Sequence, residues 1–293
     1  MRLVENFQER GLTLGAVGEL VLVLVVVVAG AFAAPPEPSS GATISLGTYL
    51  GGLPSLSATI GGRTGLFLFD TGGGNTVVSP AMAAASGCSP WGNITGFRMR
   101  GDRVDFPRCD NLRFSLAAET LVAPTAGVFD IMSLAGPKAP HLDGSIALDA
   151  FSRKRLTLDL GHHQLRVESP EAFLRQVRGT RVPVRVARDR SLGLEIYLGV
   201  ATPAGKAWME MDSGNDSSEI MVSKSMAPQF GLDPKIRGPQ PFQAIIPPGI
   251  RLEGKARVVE NMIMDGNIGM TFLKNWVLML DLENGRAWIR PAR

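Results

Sequence analysis

Two stretches of this chain carry the same order of residue types. Leu66–Val78 reads Leu-Phe-Leu-Phe-Asp-Thr-Gly-Gly-Gly-Asn-Thr-Val-Val, and Trp208–Ser217 reads Trp-Met-Glu-Met-Asp-Ser-Gly-Asn-Asp-Ser. Each drives an apolar run into an acid, a hydroxyl and a glycine: Asp70-Thr71-Gly72 and Asp212-Ser213-Gly214. The match continues downstream. Val78-Ser79-Pro80-Ala81-Met82-Ala83 aligns with Val222-Ser223-Lys224-Ser225-Met226-Ala227, and Gly87 falls on Gly231. Further on, Asp143-Gly144-Ser145-Ile146-Ala147-Leu148 aligns with Asp265-Gly266-Asn267-Ile268-Gly269-Met270. Leu156–Leu160 then aligns without a gap with Leu278–Leu282. The chain is an internal duplication, so each half must build the same unit.

The repeated stretch has a physical logic. Four consecutive apolar residues bounded by turn residues fit a buried strand. An acid at its end is expensive unless it is hydrogen-bonded or put to use. Gly72, Gly73 and Gly74 let the backbone turn sharply and approach something closely. Taken singly, Asp-Thr-Gly also fits an Asx turn after a strand; the second copy is what favours a functional acid. After each motif a short helix is expected, with Ser79 or Ser223 as N-cap and Gly87 or Gly231 as stop. Asp143 and Asp265 precede glycine turns, where a structural Asx role is expected.

With 293 residues the chain is long enough for a large core and two lobes. A hydrophobic fraction of 45% against 19% charged residues marks it as globular rather than disordered. The net charge of +3 is too small to argue for nucleic acid, and no basic stripe interleaves with aromatics. The arginine groups Arg98, Arg100, Arg103, Arg108 and Arg181, Arg185, Arg188, Arg190 read as solvated strand faces. Leu20–Gly30 followed by Ala31-Phe32-Ala33 is an apolar segment before an Ala-x-Ala site. Residues 1–34 therefore read as a signal peptide or N-terminal membrane anchor, with the rest outside the cytoplasm, periplasmic or secreted. In such a compartment the pair Cys88 and Cys109 suggests one disulfide.

Taken in order, residues 35–48 read as a linker, Pro-, Ser- and Gly-rich at the start. Ser55–Ile60 and Thr64–Phe69 read as a hairpin around Gly61-Gly62, leading to Asp70. Asn93–Phe106 alternates apolar with charged or polar residues around Gly101-Asp102, a half-exposed hairpin placed where a flap over a site would arise. It lies in the stretch that makes the first half longer: Asp70 and Asp143 are 73 positions apart, Asp212 and Asp265 53. Leu112–Val122 and Val128–Leu134 read as strands, 171–182 as a linker helix, and Phe242–Val259 as a short hairpin around Glu253-Gly254. His162 and His163 read as exposed turn residues and His141 as a loop residue; no set has metal-ligand spacing. No His accompanies a candidate Ser or Cys, so a nucleophile triad has no support. Asn93-Ile94-Thr95 matches a glycosylation sequon.

These residues resemble the aspartic peptidases, and more closely the retropepsin-like aspartyl proteases of bacterial exported proteins, with two repeats in one chain. The resemblance rests on Asp70-Thr71-Gly72, Asp212-Ser213-Gly214, and the supporting blocks Ile146-Ala147 and Ile268-Gly269. It spans Tyr49 to Trp288. It implies an all-β, two-lobed acid protease fold with short helices: an N-terminal lobe over 49–170 and a C-terminal lobe over 183–293. It implies Asp70 and Asp212 as catalytic residues sharing one proton. Thr71 and Ser213 would tie the loops together, while Gly72 and Gly214 hold the carboxylates. A peptide or protein substrate would lie in the inter-lobe cleft of a monomer, with no cofactor, metal or nucleic acid.

The chain departs from that pattern at several places. Gly73 and Asn215 follow the motifs where Ala or Ser is usual, and Ala147 replaces the first supporting glycine. Glu210, two residues before Asp212, adds a third acid that either faces away or raises the dyad's pKa. Both tyrosines, Tyr49 and Tyr197, precede the acids of their halves, so no flap tyrosine is expected. The expected function is aspartic endopeptidase. The alternative is a catalytically silent peptide-binding or envelope-structural protein that keeps the fold.

Overall fold

A computed structural model describes residues 41–136 and 138–292. The segment 1–34, read as signal peptide or anchor, lies outside the described residues. Among the described residues no helix is long and apolar enough to cross a membrane.

The repeats build equivalent strand arrangements around their acids. In the first half, Leu53–Ile60 and Arg63–Phe69 form the expected hairpin, turning at Gly61 and Gly62, both at positive φ. Arg63–Phe69 then pairs in parallel with Gly144–Ile146, which pairs in turn with Val77–Val78. In the second half Gly205–Met211 pairs in parallel with Gly266–Ile268, which pairs with Ile220–Ser223. Each acid strand is thus central in its sheet, and each acid sits one residue beyond its end. A Cβ on Gly144 would stand 2.0 Å from Val77 O, so the close crossing at the Asp-Gly step requires glycine. Asp143 and Asp265 accept hydrogen bonds from Leu66 N at 3.2 Å and Trp208 N at 2.8 Å. They brace the acid strands rather than serve the site.

These strands belong to an eight-stranded sheet in the first lobe and a seven-stranded sheet in the second. A third sheet, of six strands, joins the lobes. Its centre is Arg155–Asp159 against Trp276–Asp281, antiparallel, with Leu156 opposite Leu280 and Thr157 opposite Met279. Thr157 and Met279 are equivalent positions in the two repeats. A pseudo-two-fold axis therefore passes between them, and one chain makes the self-complementary contact that a symmetric dimer would. The fold is mostly β and two-lobed. In the first lobe Phe69 packs edge-on against Phe151, ring centroids 6.1 Å apart, and both are fully buried. Truncating such a ring costs about 3–5 kcal/mol, so the residue before Asp70 is fixed by the core.

Several local expectations change. Ala42–Ser45 and the start of Gly47–Tyr49 lie in the stretch read as linker, yet both are strands, the first an edge strand of the six-stranded sheet. Only Ile44, Leu46 and Tyr49 are buried there, too weak an apolar pattern to show in sequence. Leu112–Val122 is not one strand: Arg103–Leu116 and Glu119–Val128 form a hairpin that turns at Ala117, a non-glycine residue at φ 51°. Alanine is not a turn signal, so the sequence carries no mark of this turn. Beyond Val128, Met132–Ala135 is a single helical turn instead of a strand. The hairpin in Phe242–Val259 turns at Pro247–Gly249, while Gly254 lies within the strand Ile250–Val259. The helix read over 171–182 is Pro170–Gln176, capped by Ser169, and Thr180–Val182 is an edge strand of the six-stranded sheet.

Downstream of the motifs, Pro80–Ala85 forms the expected helix with Ser79 as N-cap. In its counterpart Ser223 Oγ accepts from Met226 N at 3.3 Å, as Ser79 Oγ does from Met82 N, but the turn continues only as a 3-10 segment over Ala227–Phe230 with Met226 at its start. Gly87 and Gly231 both take positive φ at the stops. His162 pairs with Asp159 and His141 with Asp143. Among the described residues no cluster of His, Cys, Asp and Glu could hold a metal ion.

Candidate active site

The two Asp-hydroxyl-Gly turns meet on the pseudo-two-fold axis. Thr71 Oγ1 donates to Met211 O at 2.7 Å and accepts from Ser213 N at 2.9 Å. In return, Ser213 Oγ donates to Phe69 O at 2.7 Å and accepts from Thr71 N at 3.0 Å. Both side chains are completely buried, so each loop is held by the other repeat.

This grip brings Asp70 and Asp212 within hydrogen-bonding reach of each other. Gly72 N donates to Asp70 Oδ1 at 3.1 Å, and Gly214 N to Asp212 Oδ1 at 2.8 Å. The same glycines make room across the axis. A Cβ on Gly72 would lie 2.6 Å from Asp212 Cγ, and one on Gly214 2.6 Å from Asp70 Oδ1. Any larger residue at either place would wedge the carboxylates apart.

Burial pushes the Asp70 carboxyl up to about 7, and the neighbouring Asp212 charge adds to the rise. Burial also raises Asp212, opposed by hydrogen bonds from Asn267, Gly214 and Asp70. Two such neighbouring acids share one proton, which is lost as pH rises through about 7.

Glu210 faces the site. It is buried and pairs across the sheet with Asn267, whose Nδ2 donates to Glu210 Oε2 at 2.9 Å and to Asp212 Oδ2 at 2.8 Å. Burial first, then the charges of Asp212 and Glu195, hold the Glu210 carboxyl well above the usual range. No motif in the sequence marks Asn267. The available signal was that it replaces Ser145 inside an otherwise matching block. Ala147 stands where the second half has Gly269. A Cβ on Gly269 would meet the backbone O of Asn215 at 2.4 Å and its side-chain Cγ and Nδ2 at 3.0 Å; Gly73 in the first half lacks only the side-chain atoms.

Beside Gly72–Gly74 opens a cleft of about 610 Å³. One wall is the hairpin Trp91–Phe97 with Arg103–Leu116, as expected for a flap. Its tip reaches the other half, where Ile263 N donates to Met99 O at 3.1 Å. The opposite wall carries Glu195 and Ser191. Tyr197 donates to Glu195 at 2.5 Å, and Asn75 and Ser191 exchange hydrogen bonds that tie the first loop to the second half. Cys88 and Cys109 are bonded, with Cα atoms 6.1 Å apart, linking the end of the helix Pro80–Ala85 to the hairpin's long strand. This fits an oxidising compartment.

No protein-family model matches the chain, and no curated protein matches it. Among solved structures it is similar to basic 7S globulin from soybean. The two share 10% sequence identity with a TM-score of 0.56, over 87% of this chain and 96% of that one. The likeness is one of fold. The chain has the two-lobed aspartic-protease-like fold.

Proposed function

We propose that the chain is an aspartic endopeptidase with Asp70 and Asp212 as its dyad. The observation that carries this is the pair of acids, one from each repeat, held on the pseudo-two-fold axis beside a cleft. Water is a poor nucleophile and an amide nitrogen a poor leaving group. The ionised acid takes a proton from water as its oxygen attacks the scissile carbonyl carbon, while the protonated acid donates to the carbonyl oxygen. The tetrahedral intermediate collapses by breaking the C–N bond, and the nitrogen leaves with a proton from the dyad.

One chain supplies both acids, so a monomer suffices. The doubled motif with its Asp265–Leu273 block supports kinship with retropepsin-like proteases of exported proteins. The apolar segment before Ala33 and the disulfide support a periplasmic or secreted site of action.

A second reading is a fold kept for binding peptides without cleavage. Glu210 favours it, because a third acid tied to Asp212 works against further negative charge there. Incubating the full-length protein with a peptide library from pH 3 to 8, with a chelator present and mass-spectrometric readout, separates the two. Chelator-resistant cleavage absent from Asp70→Asn supports the peptidase. Peptide capture without cleavage supports the second reading.

A further inference from the structure

We propose that Asn267, oriented by Asn215, breaks the symmetry of the dyad and makes Asp212 the general base and Asp70 the general acid. The inference rests on the peptidase reading and deepens it.

Three of the places at which the matched repeats differ lie around their acids. Leu68, Ser145 and Gly73 surround Asp70; Glu210, Asn267 and Asn215 surround Asp212. The first two pairs are cross-strand neighbours in the same register, Leu68 with Ser145 and Glu210 with Asn267. Residues two apart in a strand share a face, so Glu210 lies on the face that leads to Asp212.

Hydrogen bonding fixes how these amides point. Ser217 N can only donate, and it donates to Asn215 Oδ1 at 2.9 Å. That turns Asn215 Nδ2 toward Asn267 Oδ1, 2.7 Å away. The Asn267 NH2 group is left with two hydrogens, and two carboxylates receive them: Glu210 Oε2 and Asp212 Oδ2. Every polar atom of the fully buried Asn267 side chain is used. Asp212 thus accepts one backbone and one side-chain donor. Among the described residues, no side-chain amide or hydroxyl donates to Asp70.

A hydrogen bond donated to a carboxylate favours its ionised form. The single negative charge therefore settles on Asp212, and the shared proton on Asp70, whose O–H points at Asp212 until substrate displaces it. Glu210 stays protonated; it would otherwise stand as a second buried charge on the same amide. The other ionisable groups facing this cluster are Glu195 and its hydrogen-bonded Tyr197, on the neighbouring strand. Asn267 touches no substrate in this scheme, so it is a positioning residue.

Asn267→Ser, which copies Ser145, tests the idea in the full-length protein. Loss of a donor to a charged group should lower kcat by about tenfold or more with KM little changed, and move the acid limb of the pH profile up by about one pH unit. Asn215→Gly, which copies Gly73, should shift both in the same direction by less. Carboxyl 13C NMR titration supplies a readout independent of turnover. In the wild type Asp212 should ionise at lower pH than Asp70, and Asn267→Ser should narrow the gap. A folded Asn267→Ser with an unchanged pH profile, or a wild type in which Asp70 ionises first, overturns the proposal. If the wild type cleaves no peptide, the peptidase reading fails, and the carboxyl titration still decides the order of ionisation.

Discussion

Thr71 and Ser213, equivalent residues of the two repeats, each accept a hydrogen bond from the other's backbone N–H, at 2.9 Å and 3.0 Å respectively. The oligomer-like contact is thereby built into one chain. Ser213→Ala removes the group that serves both Thr71 N and Phe69 O, leaving two buried backbone groups without partners. Each such group costs about 1–3 kcal/mol. A loss of about 2–6 kcal/mol in denaturant unfolding is expected, and a change within about 0.5 kcal/mol would show that the grip is not structural.

Gly72→Ala acts differently. Its Cβ would lie 2.6 Å from Asp212 Cγ, so the carboxylates must separate while the surrounding sheets stay as they are. Misplacing a reacting group by about 1 Å can cost on the order of 10²-fold in rate. The expected outcome is kcat down by about that factor with near-native unfolding. Wild-type turnover in a folded Gly72→Ala would contradict the close approach of the two loops.

The titration of Asp70 links activity and stability to pH. In the fold its carboxyl is raised to about 7, from 3.8 for an ordinary Asp. Between those values the native state holds a proton that the unfolded chain has released, so stability falls with rising pH. The contribution is complete below about 3.8 and is lost as pH rises through about 7. Asp70→Asn should therefore show a flatter decline in stability from pH 4 to 8 than the wild type, measured by denaturant unfolding. Turnover should fall above about pH 7, where the shared proton leaves. A stability difference between the two proteins that does not change with pH would refute this.

The disulfide closes a separation of 21 residues around the first strand of the flap hairpin. A loop of that size stabilises by about 3 kcal/mol when cross-linked. Reduction should lower the unfolding free energy by about that much. Thiol alkylation without reduction should label neither Cys88 nor Cys109, and stoichiometric labelling of both would contradict the bond.

The duplication made the architecture legible. Two acid-ended strands in matching blocks imply two like lobes, and the Leu156–Leu160 match anticipated the strands that pair across the axis, though not the sheet that they found. Irregular pieces were illegible for local reasons. Ala117 turns at positive φ without a turn residue, and Ala42–Ser45 is an edge strand with one buried side chain. Around the acids, the motif marked Asp70, Asp212 and their neighbours because chemistry repeats there. Asn267 and Glu195 were invisible because they break the repeat or arrive from distant strands. Their contacts exist only once Gly205–Met211 lies beside Gly266–Ile268.

The most direct test of the dyad is the peptidase activity of Asp70→Asn, Asp212→Asn and the double variant, with folding checked by circular dichroism and a chelator present. Two acids that share one proton act as a unit, so losing either should abolish nearly as much activity as losing both. The account predicts three folded proteins with equally low, background-level cleavage. A folded single variant that retains wild-type turnover would contradict it.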